Sequence, residues 1–179
     1  RLMTEKDIRR VANFNLIKKI DTLIIDEISM VRADLMDAID KTLRLNRASN
    51  AAFGGVQLIL FGDLFQLPPV IATPEEKQYF RSFYESPYFF DAKIFKHGFE
   101  LKHYELSKVY RQDERHFIRL LDNIRTGTFD WDDIEEINNR VDPDISKENM
   151  IVLAGRNATV EQINKNSLEN IHKDSYTFH

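Results

Sequence analysis

Apolar positions along this chain switch repeatedly between two periods. Leu23-Ile24-Ile25 and the stretch from Val56 to Phe61 are short, largely apolar runs, each closed by polar residues: Asp26-Glu27 and Gly62-Asp63. Such runs predict strands buried on both faces, as in a parallel sheet. Between them Leu35, Met36, Ile39 and Leu43 recur at helical spacing. That spacing predicts an amphipathic helix over 32–46, broken by Phe53-Gly54-Gly55. Thr73-Pro74 and Ser86-Pro87 each set a capping hydroxyl before a proline, which predicts two further helix starts, the second helix ending at Gly98. Near the start, Thr4-Glu5-Lys6-Asp7 reads as a capping box opening a short helix with Ile8 and Val11 inward.

The second half continues the alternation. Phe99 to Leu106 predicts a strand, and Asp113 then caps a helix carrying Phe117, Leu120, Leu121 and Ile124, stopped by Gly127. A short helix is expected from Trp131 to about Arg140, and a strand from Met150 to Leu153. Val160, Ile163, Ser167, Leu168 and Ile171 line one side of a last helix. Strands alternating with helices imply an α/β fold with a parallel sheet.

Composition narrows the class. With 42% hydrophobic and 30% charged residues among 179, the chain reads as globular. No stretch approaches the roughly 20 apolar residues that span a bilayer, so no membrane partner is expected. The opening residues lack the apolar run of a signal peptide. There is no cysteine, which excludes disulfides and thiolate metal sites, and no pair of the five histidines has helical ligand spacing. A net charge of −4 argues against tight nonspecific nucleic-acid binding by the chain alone, but leaves room for a local groove.

The candidate chemistry lies at the ends of the first two predicted strands. Open α/β sheets place ligands beyond the carboxyl ends of their strands. In a nucleotide hydrolase, a first carboxylate there holds Mg²⁺, usually through water, and a second orients or deprotonates the attacking water. Asp26 and Glu27 have that arrangement, although a strand ending in an acidic helix cap would look the same. The second strand runs into Gly62-Asp63-Leu64-Phe65-Gln66-Leu67-Pro68-Pro69-Val70, which places the Gln66 amide where a γ-phosphate or its attacking water could be sensed. A plain turn explains Gly62-Asp63 alone, and a rigid linker explains Pro68-Pro69 alone. Neither explains both strands, both acidic ends and the glutamine together.

At these residues the chain resembles the PIF-type DNA helicases of superfamily one, relatives of the RecD helicases. Asp26-Glu27-Ile28-Ser29-Met30 is similar to that family's Walker B motif, and Gly62 to Val70 to its third motif. Leu106-Ser107-Lys108-Val109-Tyr110-Arg111-Gln112 is similar to its fourth, followed by Phe117, Leu120, Leu121, Ile124-Arg125 and Gly127. Val152-Leu153-Ala154, Asn157 and Ile163-Asn164 resemble the next strand and helix more weakly. The resemblance implies an incomplete RecA-like P-loop fold. Residues 1–98 would be the later part of a first motor domain and 99–179 the start of a second. It implies an ATP-dependent DNA helicase acting on single-stranded DNA and duplex junctions, moving 5′ to 3′ in genome maintenance. Its place would be the cytoplasm or nucleoid of a bacterium, or the nucleus or mitochondrion of a eukaryote. It assigns Mg²⁺ to Asp26, water activation to Glu27, γ-phosphate contact to Gln66, and an arginine finger to Arg111. A guanidinium suits the last role because it stays charged and forks onto phosphate oxygens. Asp63 is expected to be a linking carboxylate rather than a primary catalyst.

The sequence also departs from the family pattern. It contains no Gly-x-x-x-x-Gly-Lys-Ser/Thr loop, the motif whose backbone N–H groups and lysine cradle phosphates. The expectation is that helicase segments upstream and downstream are needed, and that these 179 residues alone neither bind ATP tightly nor hydrolyse it. Two other readings fit the same residues: a non-helicase, DNA-stimulated P-loop ATPase, and a degenerate RecA-like scaffold or binding module. Tyr79, Phe80, Phe83, Tyr84, Tyr88, Phe89, Phe90 and Phe95 crowd one segment. Most are expected in the core, although bases stack on such rings in single-strand channels. Lys93, Lys96, His97, Lys102, His103 and Lys108 form a modestly basic stretch, either a phosphate track or a solvated face.

Overall fold

A parallel pair of strands organises the first half of the chain. In the computed structural model, which describes residues 1–142, 150–171 and 176, β1 (Thr22–Ile25) pairs with β2 (Gln57–Leu60) in the register Thr22↔Gln57 to Ile25↔Leu60. A 3-10 turn (Glu5–Asp7) and the short helix α1 (Phe14–Lys18) precede β1, and α2 (Ala33–Arg47) connects the two strands. After β2 come α3 (Pro74–Phe83), α4 (Lys93–Lys96), α5 (Arg115–Thr126), α6 (Trp131–Asn138) and α7 (Asn157–Glu169). The chain gathers into two compact units, Arg1–Phe129 and Asp130–His179.

The core of the first unit is built on α2. Ala33, Met36 and Leu43 face Phe53, Val56, Phe80, Phe89 and Ile94, and Leu23, Ile25, Leu58 and Leu60 pack against this cluster. The other side of β1 is open: Ile24 is 60% exposed. The expectation of strands buried on both faces is therefore corrected for β1, because the packed layer lies under alternate residues only. Leu35, expected inward, lies 37% exposed on α2. Carboxylates occupy part of the face it was expected to share. Asp34, Asp37 and Asp40 are buried, and each accepts backbone hydrogen bonds. Asp34 takes the Met3 and Leu35 amides, Asp37 the Ile94 amide and the Tyr84 hydroxyl, and Asp40 the Phe53 amide. A buried charge is tolerated only when paired and hydrogen-bonded, and these contacts fasten three separate segments to one helix.

Four other expectations change on folding. The Thr4–Asp7 capping box forms, but it closes a single 3-10 turn, and Val11 is exposed. Ser86-Pro87 does not open a helix. The Pro87 carbonyl accepts the Ala33 amide, Tyr88 bridges Arg32, and the Ser86 hydroxyl bonds Asp91. Held extended there, the chain makes a 3-10 turn (Phe89–Asp91) before α4 begins at Lys93. Phe99 to Leu106 forms no strand. Phe99 packs edge-on to Phe53 at 5.1 Å, and residues 100–110 are exposed without a ladder. Met150 to Leu153 likewise forms no strand among the described residues. Strand geometry needs a partner's N–H and C=O groups, and none lies beside either segment among the described residues.

Helix α5 starts one residue later than the sequence suggests, with Glu114 rather than Asp113 at its N-cap position, and ends at Gly127, whose φ of 72° is left-handed. It buries Leu120 completely. In the second unit, Asp130 and Asp133 form the capping box of α6, and α7 has no buried residue.

Candidate functional site

The parallel register brings the two candidate loops out from the same sheet edge. Ile25 pairs with Leu60, so Asp26 and Phe61 are the first residues beyond the ladder. Backbone bonds join the exits: the Phe61 amide donates to the Ile25 carbonyl at 2.9 Å, and the Ile28 amide donates to the Phe61 carbonyl at 2.9 Å. Gly62 completes the seam. A Cβ there would lie 2.8 Å from Ile28 Cγ2 and 2.9 Å from the Ile28 nitrogen, so only glycine lets the loops approach this closely.

Asp26 and Glu27 are both exposed at this edge. Glu27 adopts a left-handed backbone (φ 51°, ψ 45°), which costs a residue with a Cβ about 1–2 kcal/mol. Its amide donates to Asp26 Oδ1 at 2.9 Å and its carbonyl accepts the Met30 amide at 3.0 Å. Local strain of this kind persists where surrounding contacts over-determine it, and it clusters at functional sites. Ile28 and Ser29, just behind, are buried and anchor the turn.

The loop after β2 is organised by Asp63. Its Oδ1 accepts the Phe65 amide at 3.0 Å, its carbonyl accepts the Gln66 amide at 3.0 Å, and its Oδ2 accepts Gln66 Nε2 at 3.2 Å. Arg125 of α5 donates through Nη1 to Oδ1 at 3.1 Å and Oδ2 at 3.3 Å, and lies 4.9 Å over the Phe65 ring. Burial pushes the Asp63 carboxyl up, but the Phe65 amide, the Gln66 amide and the Arg125 guanidinium outweigh it and hold the group below its ordinary value. Gln66 is exposed.

Asp26, Glu27 and the Gln66 loop thus share one edge, whereas Arg111 is not joined to them. It is exposed in the irregular segment before α5. No cluster of three or more metal-ligating side chains exists among the described residues. The donor set suits Mg²⁺ rather than a caged metal: Mg²⁺ keeps several waters and is held by one or two carboxylates plus substrate phosphates. Asp26 offers one such carboxylate, with Oδ1 already oriented by the Glu27 amide.

The aromatic segment divides. Phe80 and Phe89 are buried and Tyr79, Tyr84 and Phe95 pack against the core, while Phe83 and Phe90 remain exposed. Lys93 lies 5.4 Å over Phe83, and Lys96 pairs with Glu85 and Asp91, so part of the basic stretch is engaged within the fold. Sequence reasoning missed two features of the site. One is the left-handed Glu27, since glutamate carries no bias toward that conformation. The other is Arg125 on the third-motif loop, 62 positions from Asp63, for which the only trace was its place in the family-like string.

The family model described as PIF1-like helicase matches residues 4–135. The chain is similar to the ATP-dependent DNA helicase PIF1 of Homo sapiens, 41% identical over 105 residues, covering 59% of this chain and 15% of that protein. It is 35% identical over 159 residues to the ATP-dependent DNA helicase RRM3 of Saccharomyces cerevisiae, covering 87% of this chain and 21% of that protein. Among solved structures it is similar to the Pif1 helicase from Bacteroides in complex with ADP-AlF3 and ssDNA. There the TM-score is 0.84 and the identity 38%, over 98% of this chain and 44% of that one. The Pif1 helicase from Candida albicans matches with a TM-score of 0.71 and 28% identity, over 90% of this chain and 34% of that one. The chain therefore spans less than half the length of these relatives, and by the match over most of its length it belongs to the PIF1-like helicase family.

Proposed function

We propose that this chain supplies part of the nucleotide-hydrolysing machinery of an ATP-dependent DNA helicase. The observation that carries the reading is the shared edge: Asp26-Glu27 and the Gln66 loop leave adjacent parallel strands together, tied by the Ile28–Phe61 bond and the close approach of Gly62. Relatives named ATP-dependent DNA helicases, and one solved with ADP-AlF3 and ssDNA, support it.

On this reading Asp26 would hold Mg²⁺, and the metal would neutralise charge on the phosphates. Glu27, turned out of the strand line by its left-handed backbone, accepts a proton from the attacking water or aligns it. Gln66 contacts the γ-phosphate or the same water. Arg111 approaches from the second motor domain as the finger that stabilises transition-state charge. This reading assigns residues 1–98 to the first motor domain and 99–179 to the second, with a single strand and duplex junctions as the DNA partners. The phosphate-cradling loop is to be supplied by sequence outside these 179 residues. The protein works in whichever compartment holds its DNA.

The test is strand separation by the full-length gene product on a fluorescent forked duplex, with ATP and Mg²⁺. The expected result is separation that needs hydrolysable ATP. DNA-stimulated hydrolysis without separation would favour the non-helicase ATPase, and absence of both would favour the scaffold.

A further inference from the structure

The geometry points to Arg125 as a positioning residue that fixes, through Asp63, which end of the Gln66 amide is offered to the nucleotide. The inference rests on the proposed role of Gln66 and adds to it a residue on a different element. The chain of contacts is continuous: Arg125 Nη1 donates to both Asp63 oxygens, and Asp63 Oδ2 accepts Gln66 Nε2 at 3.2 Å.

The chemistry of the groups gives the contact its consequence. A carboxylate is acceptor-only, so the side of Gln66 that meets Asp63 has to be its NH₂. One N–H is thereby committed, and the carbonyl oxygen Oε1 is left as the outward acceptor with one N–H remaining. An acceptor is what an attacking water needs, because its proton must point at something while its lone pair faces phosphorus. Were Asp63 to swing away, the amide could turn over, and the site would offer donors where it needs an acceptor.

Arg125 is what keeps Asp63 from swinging. Its guanidinium spans both carboxylate oxygens, is steadied from behind by Asp122 Oδ1 at 2.9 Å, and covers the Phe65 ring. With Nη1 on Asp63, Nε and Nη2 on Asp122, and the plane over an aromatic ring, the guanidinium holds its orientation in a way an ammonium does not. Arg125 stands on α5, whereas Asp63 and Gln66 stand in the loop after β2, within the same compact unit. The orientation of the amide is thus set by a helix distant in sequence from the loop that carries it.

The experiment is a steady-state, single-strand-stimulated ATPase on the full-length gene product. It compares wild type, Arg125→Ala, Arg125→Lys, Asp63→Asn, Gln66→Ala and the double variant Gln66→Ala/Arg125→Ala, with urea unfolding of each. Arg125→Ala should lower kcat about tenfold, since misplacing a reacting group by an ångström costs up to about a hundredfold. KM for ATP should stay within about twofold, because binding is not what is lost. Asp63→Asn, which keeps the shape but can donate to Oε1, should show the same split, and Arg125→Lys should recover only part of kcat. The double variant should be no slower than Gln66→Ala, because Arg125 acts through that amide. A double variant slower by the product of the two single effects would make Arg125 an independent structural residue and overturn the proposal. So would wild-type kcat in both Arg125→Ala and Asp63→Asn beside a defective Gln66→Ala. Wild-type kcat in Gln66→Ala would instead remove the role proposed for Gln66, and the positioning role with it.

Discussion

Two apolar triplets in this chain meet different fates. Leu23-Ile24-Ile25 forms β1, paired residue by residue with β2 and resting on α2. Ile151-Val152-Leu153 has the same kind of side chains but stays irregular, with Ile151 93% and Leu153 91% exposed. Local preference is the same in both, so it does not decide the outcome. The first triplet has a parallel neighbour and a helix to cover alternate residues; the second has neither among the described residues. β-Propensity expresses the fit to a pleated, half-buried surface, and without that surface it has little to act on. The same contrast separates the two halves of the candidate site. Asp26 and Glu27 ride on the paired strand, while Arg111 lies in an exposed segment that forms no ladder.

The largest effect expected comes from that exposed half. In the full-length gene product, Arg111→Ala should cut DNA-stimulated turnover by about 10³ or somewhat less, the low end for arginine fingers, with nucleotide affinity nearly unchanged. Arg111→Lys should rescue poorly. Turnover within about twofold of wild type, less than about 0.5 kcal/mol of transition-state stabilisation, would make Arg111 an ordinary surface arginine. The packed half is probed by truncation. Met36→Ala, at a fully buried position, should cost about 2–5 kcal/mol in urea unfolding. Gly62→Ala should cost about 1–3 kcal/mol, because its Cβ meets the Ile28 backbone. Ile151→Ala should stay within about 0.5 kcal/mol, and a loss like that of Met36→Ala would erase the contrast between the triplets.

A pH series sharpens the comparison further. The Ala72 amide, with help from the Thr73 amide and Arg32, overrides desolvation and holds the Glu76 carboxyl down from 4.5 to about 2. A carboxyl depressed on folding stabilises the native state above its unfolded value. That contribution should be complete above about pH 5 and be lost as pH falls toward 2. Urea midpoints of wild type should therefore fall between these limits more steeply than those of Glu76→Gln. Parallel curves would show that Glu76 adds no pH-dependent stability.

Much of the site was legible because it sits where pattern and chemistry coincide. Two apolar runs with acidic ends, separated by one amphipathic helix, are enough to place Asp26-Glu27 and the Gln66 loop on neighbouring strand ends. The helices at Pro74, Trp131 and Asn157 were legible from caps and periodicity. Asp34, Asp37 and Asp40 were not, since an aspartate on a helix is ordinarily a surface residue. Only the three-dimensional fold shows the amides that each satisfies. The extended run after Ser86 was masked by a helix-start signal that loses to the Pro87–Ala33 bond. Residues 99–106 and 150–153 look like strands because sequence records alternation and apolarity but not whether a neighbour is present.

Glu27 is the most exacting point of the nucleotide-hydrolysis role proposed for the strand ends of β1 and β2. The direct measurement is single-strand-stimulated ATP turnover by the full-length gene product carrying Glu27→Gln, with nucleotide affinity measured beside it. The substitution keeps the shape but replaces a proton-accepting carboxylate with a neutral amide, so turnover should fall by at least about a hundredfold while the nucleotide still binds. Turnover within about twofold of wild type, with binding intact, would contradict the account.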